Sequence, residues 1–219
     1  MNALFIVIGI LLLTVVPYLL GNSNGAILVS KYILKDDIRG HGSGNAGLTN
    51  FHRVFGGKLT LVVILADVLK AVFALLLGML GAWLLRRTGI DAITTLRAKY
   101  IAALFCELGH MYPVFFGFKG GKGILSGGTI AIMIDWRVAL LVWGSFLILA
   151  SITKWVSLGS ISTGIWFPII TFILWRDPLT TVCALIIGGL IVWKHRGNLQ
   201  RILKGTESKF SLHKKEAGK

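Results

Sequence analysis

The sequence predicts an all-α integral membrane protein with seven transmembrane helices, its N-terminus outside and its C-terminus cytoplasmic. Three observations carry that prediction. Of the 219 residues, 55% are hydrophobic, and the mean hydropathy is +0.78. A water-soluble domain of this length cannot bury so much apolar surface. The apolar residues also gather into seven segments, 3–21, 59–82, 99–116, 124–135, 138–153, 158–175 and 178–193. Finally, only 15% of residues are charged, yet the formal net charge is +14, and the cations crowd into alternate connections. Such a basic excess suits nucleic acid or a membrane face, and the apolar segments decide for the membrane.

The first segment has no cation before Lys31, so it lacks the basic start of a secretory leader and reads as a retained span. Pro17 falls near its end, where a membrane helix tolerates it. The second segment carries Asp67 and Lys70, three apart and therefore on one helix face, which predicts a structural ion pair. Glu107 and His110 repeat that spacing in the third. The fourth is short against the roughly 20 residues of a full crossing. Ser157 and Ser160 stand where they could cap the sixth. Cys106 and Cys183 lie in apolar runs and imply no disulfide. With seven crossings, the connections on the C-terminal side hold sixteen cations and those opposite hold six, which places the C-terminus inside. One transmembrane domain over 1–205 and a basic cytoplasmic tail over 206–219 complete the organisation.

Two connections carry more than turn chemistry. Residues 42–53 read G-S-G-N-A-G-L-T-N-F-H-R, and residues 117–123 read G-F-K-G-G-K-G. Closely spaced glycines let successive backbone N–H groups converge on an anion. Ser43, Asn45, Thr49 and Asn50 add directional hydrogen bonds, and Arg53 suits a phosphate. Gly42 to Gly47 match G-x-G-x-x-G, but a membrane span and a charged stretch precede them instead of the strand a dinucleotide fold needs. The second loop is no Walker A motif, because Gly123 replaces the Ser or Thr after Lys122. By the same parity, both loops, the segment W-V-S-L-G-S at 155–160 and K-H-R-G-N at 194–198 all emerge on the cytoplasmic face.

Together these motifs, with D-V-L-K at 67–70 and G-H-M-Y-P-V-F-F at 109–116, closely resemble the bacterial acyl-phosphate-dependent glycerol-3-phosphate acyltransferases over nearly the whole chain. The resemblance implies transfer of a fatty acyl group from acyl phosphate to the 1-hydroxyl of glycerol 3-phosphate. The products are lysophosphatidate and phosphate, in a bacterial cell membrane with the active site facing the cytoplasm. It assigns Ser43, Arg53, Lys119, Ser157, His195 and Asn198 to glycerol 3-phosphate, with Ser43, Lys119 and His195 as the catalytic residues. Gly44, Asn45, Thr49, Gly120, Gly121, Lys122 and Gly123 fall to the acyl phosphate. Its partners are the two substrates, the bilayer and the enzyme that makes acyl phosphate; no nucleic acid is implied.

An acyl phosphate is already activated, so the protein needs chiefly to hold two anions and align hydroxyl with carbonyl. Arg53, Lys119, Lys122 and His195 are the groups for this, with glycine N–H groups and Lys119 stabilising the oxyanion. Asp36 and Asp37 sit in a charged run and Glu207 and Glu216 in the tail, so no carboxylate base is expected and a substrate phosphate oxygen takes the proton. The residues five beyond the five histidines are Ala46, Gly57, Phe115, Gln200 and Gly218, which excludes a His-x₄-Asp acyltransferase. Scattered histidines predict no metal or cofactor. The alternative of a different class is a transporter of organic phosphates, with Asp67, Lys70, Glu107 and His110 as midplane groups.

Overall fold

The computed structural model describes residues 2–209, which are helices and loops with no strand among them. Each of the seven apolar segments becomes helical. The first breaks into α1 (Asn2–Leu13) and α2 (Val15–Asn22) at Thr14, whose φ of −127° and ψ of −70° leave the helix. Pro17 is the cause, since its ring would clash with the carbonyl four residues back in a continuous helix, and it is tolerated in the first turn of α2. The path then runs on through α3 (Gly25–Leu28) and a π-type turn at Val29–Ile33, well past the expected end. α4 (Leu48–Val54) follows the first glycine loop. α5 (Leu59–Arg86) extends four residues beyond its expected limit, and α6 (Thr95–Met111) ends five residues early because Pro113 follows. α7 (Ile124–Ile134), α8 (Trp136–Thr153), α9 (Val156–Trp175) and α10 (Pro178–Lys194) complete the bundle, and α11 (Arg196–Leu203) bends 48° away from α10.

Four paths, Asn2–Ile33, α5, α8 and α9, are long and apolar enough to cross a membrane, and the bent α10–α11 pair makes a fifth. α7 has 11 residues, about 16 Å at 1.5 Å per residue, roughly half the hydrocarbon thickness. α6 carries Arg97, Lys99 and Glu107 within 17 residues. The chain is thus a multi-pass membrane protein, but seven separate crossings do not follow from its helix lengths. Large apolar side chains such as Leu65, Leu140 and Ile152 face outward, as lipid requires. Small residues let the helices close up: a Cβ on Gly21 would strike the α6 backbone, and one on Gly188 would strike Gly164 of α9.

Two features of the packing prepare the site. The expected ion pair forms, with Lys70 Nζ 2.8 Å from Asp67 Oδ1 and both side chains buried. It satisfies the break between α2 and α3: Asp67 accepts from Gly25 N–H at 3.1 Å, and Lys70 lies 3.4 and 3.3 Å from the Gly21 and Ser23 carbonyls. The helix starts also differ by face. Thr94, Asp135 and Asp177 cap α6, α8 and α10, whereas α7 and α9, starting at the other end of the bundle, have no side-chain cap.

Candidate active site

The uncapped starts of α7 and α9 border a cavity of about 610 Å³, which α4, α8 and the α10–α11 junction complete. The first turn of a helix leaves several N–H groups without backbone partners and concentrates positive potential there. Two such ends facing one cavity make an anion-binding enclosure. Ser157 and Ser160 do not cap α9 as expected. Ser157 is its second residue and donates to Glu207, while Ser160 donates back to the Val156 carbonyl at 2.9 Å.

Asn50, almost wholly buried, organises the first glycine loop. Its Oδ1 accepts from Ser43 N–H at 2.9 Å, and its Nδ2 donates to the His41 and Asn45 carbonyls. Gly42 has φ +58° and packs so tightly on Asn50 that no Cβ fits. The loop thereby presents Ser43, Asn45, Thr49 and the exposed Arg53 to the cavity. Asn24 ties the loop to the α2–α3 break by donating to the Ala46 carbonyl at 2.9 Å. Gly44 serves the turn, with φ +70°, and does not line the cavity.

The second glycine loop divides. Lys122 and Gly123 line the cavity. Gly120 and Gly121 do not: their N–H groups are spent on the Met111 and His110 carbonyls at 3.3 and 3.1 Å, so they cannot serve as expected for an acyl phosphate. Lys119 corrects a second expectation. Its side chain is exposed and does not line the cavity, and Arg39 holds its carbonyl. Lys122 takes the inner place. Its Nζ donates to Asn198 Oδ1, and burial, with Arg201 nearby, pushes its pKa down to about 8.

His195, Asn198 and Arg201 project from the α10–α11 bend. His195 Nδ1 donates to the Ile191 carbonyl at 2.8 Å, which leaves Nε2 as the acceptor. Burial, reinforced by the Lys122 charge, pushes its pKa down to about 4. His195 is therefore neutral at pH 7.

Glu207 is the residue that sequence reasoning missed. Beyond α11 the chain folds back, and the carboxylate accepts from Ser157 Oγ at 2.6 Å, Asn198 Nδ2 at 2.7 Å and Arg201 Nε at 2.7 Å. Burial alone would raise its pKa, but those three bonds outweigh it and hold the group below the usual carboxylate range. It is an ionised strut and not a base. Its one signal in sequence was an acidic residue inside a basic tail. The rest of that expected tail, 210–219, lies outside the described residues.

A family model described as "Glycerol-3-phosphate acyltransferase" matches residues 11–205. Curated relatives of that name share 37% identity in Thermoanaerobacter pseudethanolicus, over 91% of this chain and 94% of that protein, and 37% in Clostridioides difficile, over 93% and 97%. Among solved structures the fold matches PlsY (YgiH), an integral membrane glycerol 3-phosphate acyltransferase, in its glycerol 3-phosphate form. The TM-score is 0.79 at 31% identity, covering 93% of this chain and 96% of that one. The lysophosphatidic acid form gives 0.75. Helix order, the cavity between the glycine loops and these likenesses agree: the chain belongs to the glycerol-3-phosphate acyltransferase family.

Proposed function

We propose that the cavity transfers a fatty acyl group from acyl phosphate to the 1-hydroxyl of glycerol 3-phosphate, giving lysophosphatidate and inorganic phosphate. The observation that carries this reading is the pair of uncapped helix starts, α7 and α9, facing one enclosure with Arg53, Lys122 and Arg201. That enclosure suits two phosphoryl groups held side by side. Ser43, Arg53, Ser157, His195 and Asn198 take glycerol 3-phosphate, while Asn45, Thr49, Lys122 and Gly123 take the acyl phosphate. The hydroxyl oxygen bonds to the acyl carbon, the bond between that carbon and the bridging oxygen of the phosphate breaks, and the leaving phosphate carries away its electron pair. His195 Nε2 accepts from the hydroxyl in the ground state and aims its oxygen, and as the new bond forms the O–H rotates to give its proton to a substrate phosphate oxygen. The Lys122 ammonium and the α7 N–H groups stabilise charge on the carbonyl and the leaving phosphate. Leu125, Trp143, Phe146 and Val156 give the cavity an apolar wall for the acyl chain.

We further read the seven helical segments as seven spans in a bacterial cytoplasmic membrane, N-terminus outside and the cavity facing the cytoplasm. The sixteen-to-six cation asymmetry supports this sidedness. The catalytic unit is 1–205, joined by Glu207 from the tail, and the enzyme that makes acyl phosphate is its supplier. Purified protein in detergent, given glycerol 3-phosphate and palmitoyl phosphate, is expected to release phosphate and 1-palmitoyl lysophosphatidate. Product formation only from another acyl donor, or acylation of the 2-hydroxyl, would overturn this reading. Family membership sets the transporter alternative aside.

A further inference from the structure

At the cavity floor, which Asp67 also lines, the buried pair Asp67–Lys70 extends to a third group. Lys70 Nζ lies 2.7 Å from His110 Nδ1, and His110, only 3% exposed, lines the cavity. An ammonium donates hydrogen bonds and accepts none, so Nδ1 must be the bare nitrogen of this ring. A neutral imidazole then carries its proton on Nε2. That edge is turned to the second glycine loop: a Cβ on Gly121 would land on Nε2, so only glycine fits beside it. Among the described residues Nε2 has no hydrogen-bond partner. Nor is it sealed off, unlike the orphaned Glu107 carboxylate and Ser126 hydroxyl nearby.

We propose that His110 is a substrate-binding residue of the site, its Nε2–H donating to an anionic or carbonyl oxygen of the acyl phosphate. Lys70, held by Asp67, acts through it as a positioning residue that fixes the tautomer. The inference rests on the reaction proposed above. The acyl phosphate is favoured over glycerol 3-phosphate because His110 adjoins the loop of Lys122 and Gly123, while three of the five glycerol 3-phosphate residues, Ser157, His195 and Asn198, lie at the α9 start and the α10–α11 bend. The burial of three ionisable groups at membrane depth, costly in itself, has a use in this arrangement. It gives a neutral donor whose polarity does not change when the substrates' charges arrive.

Nitrogen-15 histidine NMR of the full chain in detergent tests it directly, with His110 assigned by its loss in His110→Gln. The wild type should carry the His110 proton on Nε2. Palmitoyl phosphonate, a donor analogue that cannot transfer, should shift that N–H, and glycerol 3-phosphate alone should not. In kinetics, His110→Asn, whose amide reaches only the Nδ1 position, should lose roughly 30-fold in kcat/KM for palmitoyl phosphate. His110→Gln, whose amide reaches the Nε2 position, should recover to within about fivefold of wild type. KM for glycerol 3-phosphate should stay put in both. A proton on Nδ1, a shift with glycerol 3-phosphate but not the phosphonate, or equal loss in the two variants overturns the inference, and the NMR, assigned with His110→Gln, decides even if His110→Asn fails to fold. An active wild type with an Nδ1 proton sinks this inference alone; a wild type that makes no lysophosphatidate sinks the reaction with it.

Discussion

His195 donates a hydrogen bond from Nδ1–H to the Ile191 carbonyl at 2.8 Å, whereas His110 accepts one at Nδ1 from the Lys70 ammonium at 2.7 Å. Both rings are buried and both border the same cavity. One neighbour apiece reverses their polarity: a backbone carbonyl makes His195 an acceptor, and an ammonium makes His110 a donor. The difference matches the two halves of the reaction. A hydroxyl about to attack needs an acceptor, and a carbonyl or leaving phosphate gathering charge needs donors. What places each ring is equally different. His195 sits at the helix bend that also carries Asn198 and Arg201, while His110 is braced by charges inside the bundle.

Lys122 stands between the two halves, and removing it should produce the largest effect. Lys122→Ala is expected to cost roughly 100-fold in kcat/KM for palmitoyl phosphate, because a cation facing both the leaving group and His195 is lost. Lys119→Ala, three residues away but outside the cavity, should cost under about threefold by the scale of an exposed charge. Equal losses would show that the loop rearranges to bring Lys119 inward. The next effect is in pH. With the Lys122 pKa pushed down to about 8, the ammonium is present below that pH and lost above it. Activity measured as kcat/KM should therefore fall as pH rises through about 8, approaching about tenfold per unit, and Lys122→Arg should move the fall to higher pH. His195, neutral down to about 4, should add no change between pH 5 and 8. A fall that persists unmoved in Lys122→Arg would assign the titration elsewhere. The smallest effect should come from Glu207→Gln, which keeps the shape of the strut and removes its charge. KM for glycerol 3-phosphate is expected to rise roughly threefold and the melting temperature to drop by about 4 °C, with KM for palmitoyl phosphate unaltered. A change confined to the acyl donor would contradict the placement of Glu207 on the His195 side.

Much of this site was legible before the fold. Gly42 and Gly123 announce themselves because the backbone at φ +58° and +76° demands glycine, and that demand leaves a mark in composition. The Asp67–Lys70 pair was legible from helical spacing alone. Other features depend on contacts that spacing does not encode. Lys119 and Lys122 look alike in the sequence, and only the spent N–H groups of Gly120 and Gly121 show which one the loop turns inward. Glu207 looks like a tail residue until the chain reverses after α11 and carries it back to Ser157. The break at Thr14 lies three residues before the proline that causes it, so a single smooth span was the natural reading of an unbroken apolar run. Histidine tautomers are the extreme case. Nothing in the sequence separates His110 from His195 among the five histidines, and their opposite polarity belongs wholly to Lys70 and Ile191.

The central claim is that one cavity holds both phosphoryl ligands, each against its own helix start. A structure of the protein with glycerol 3-phosphate and palmitoyl phosphonate bound together measures this directly. The account predicts one phosphorus at the α9 start near Ser157, Asn198 and Arg53, and the other at the α7 start near Gly123, Lys122 and His110. Finding either phosphorus outside the cavity, or the phosphonate gripped by Lys119 on the exposed side of its loop, would contradict it.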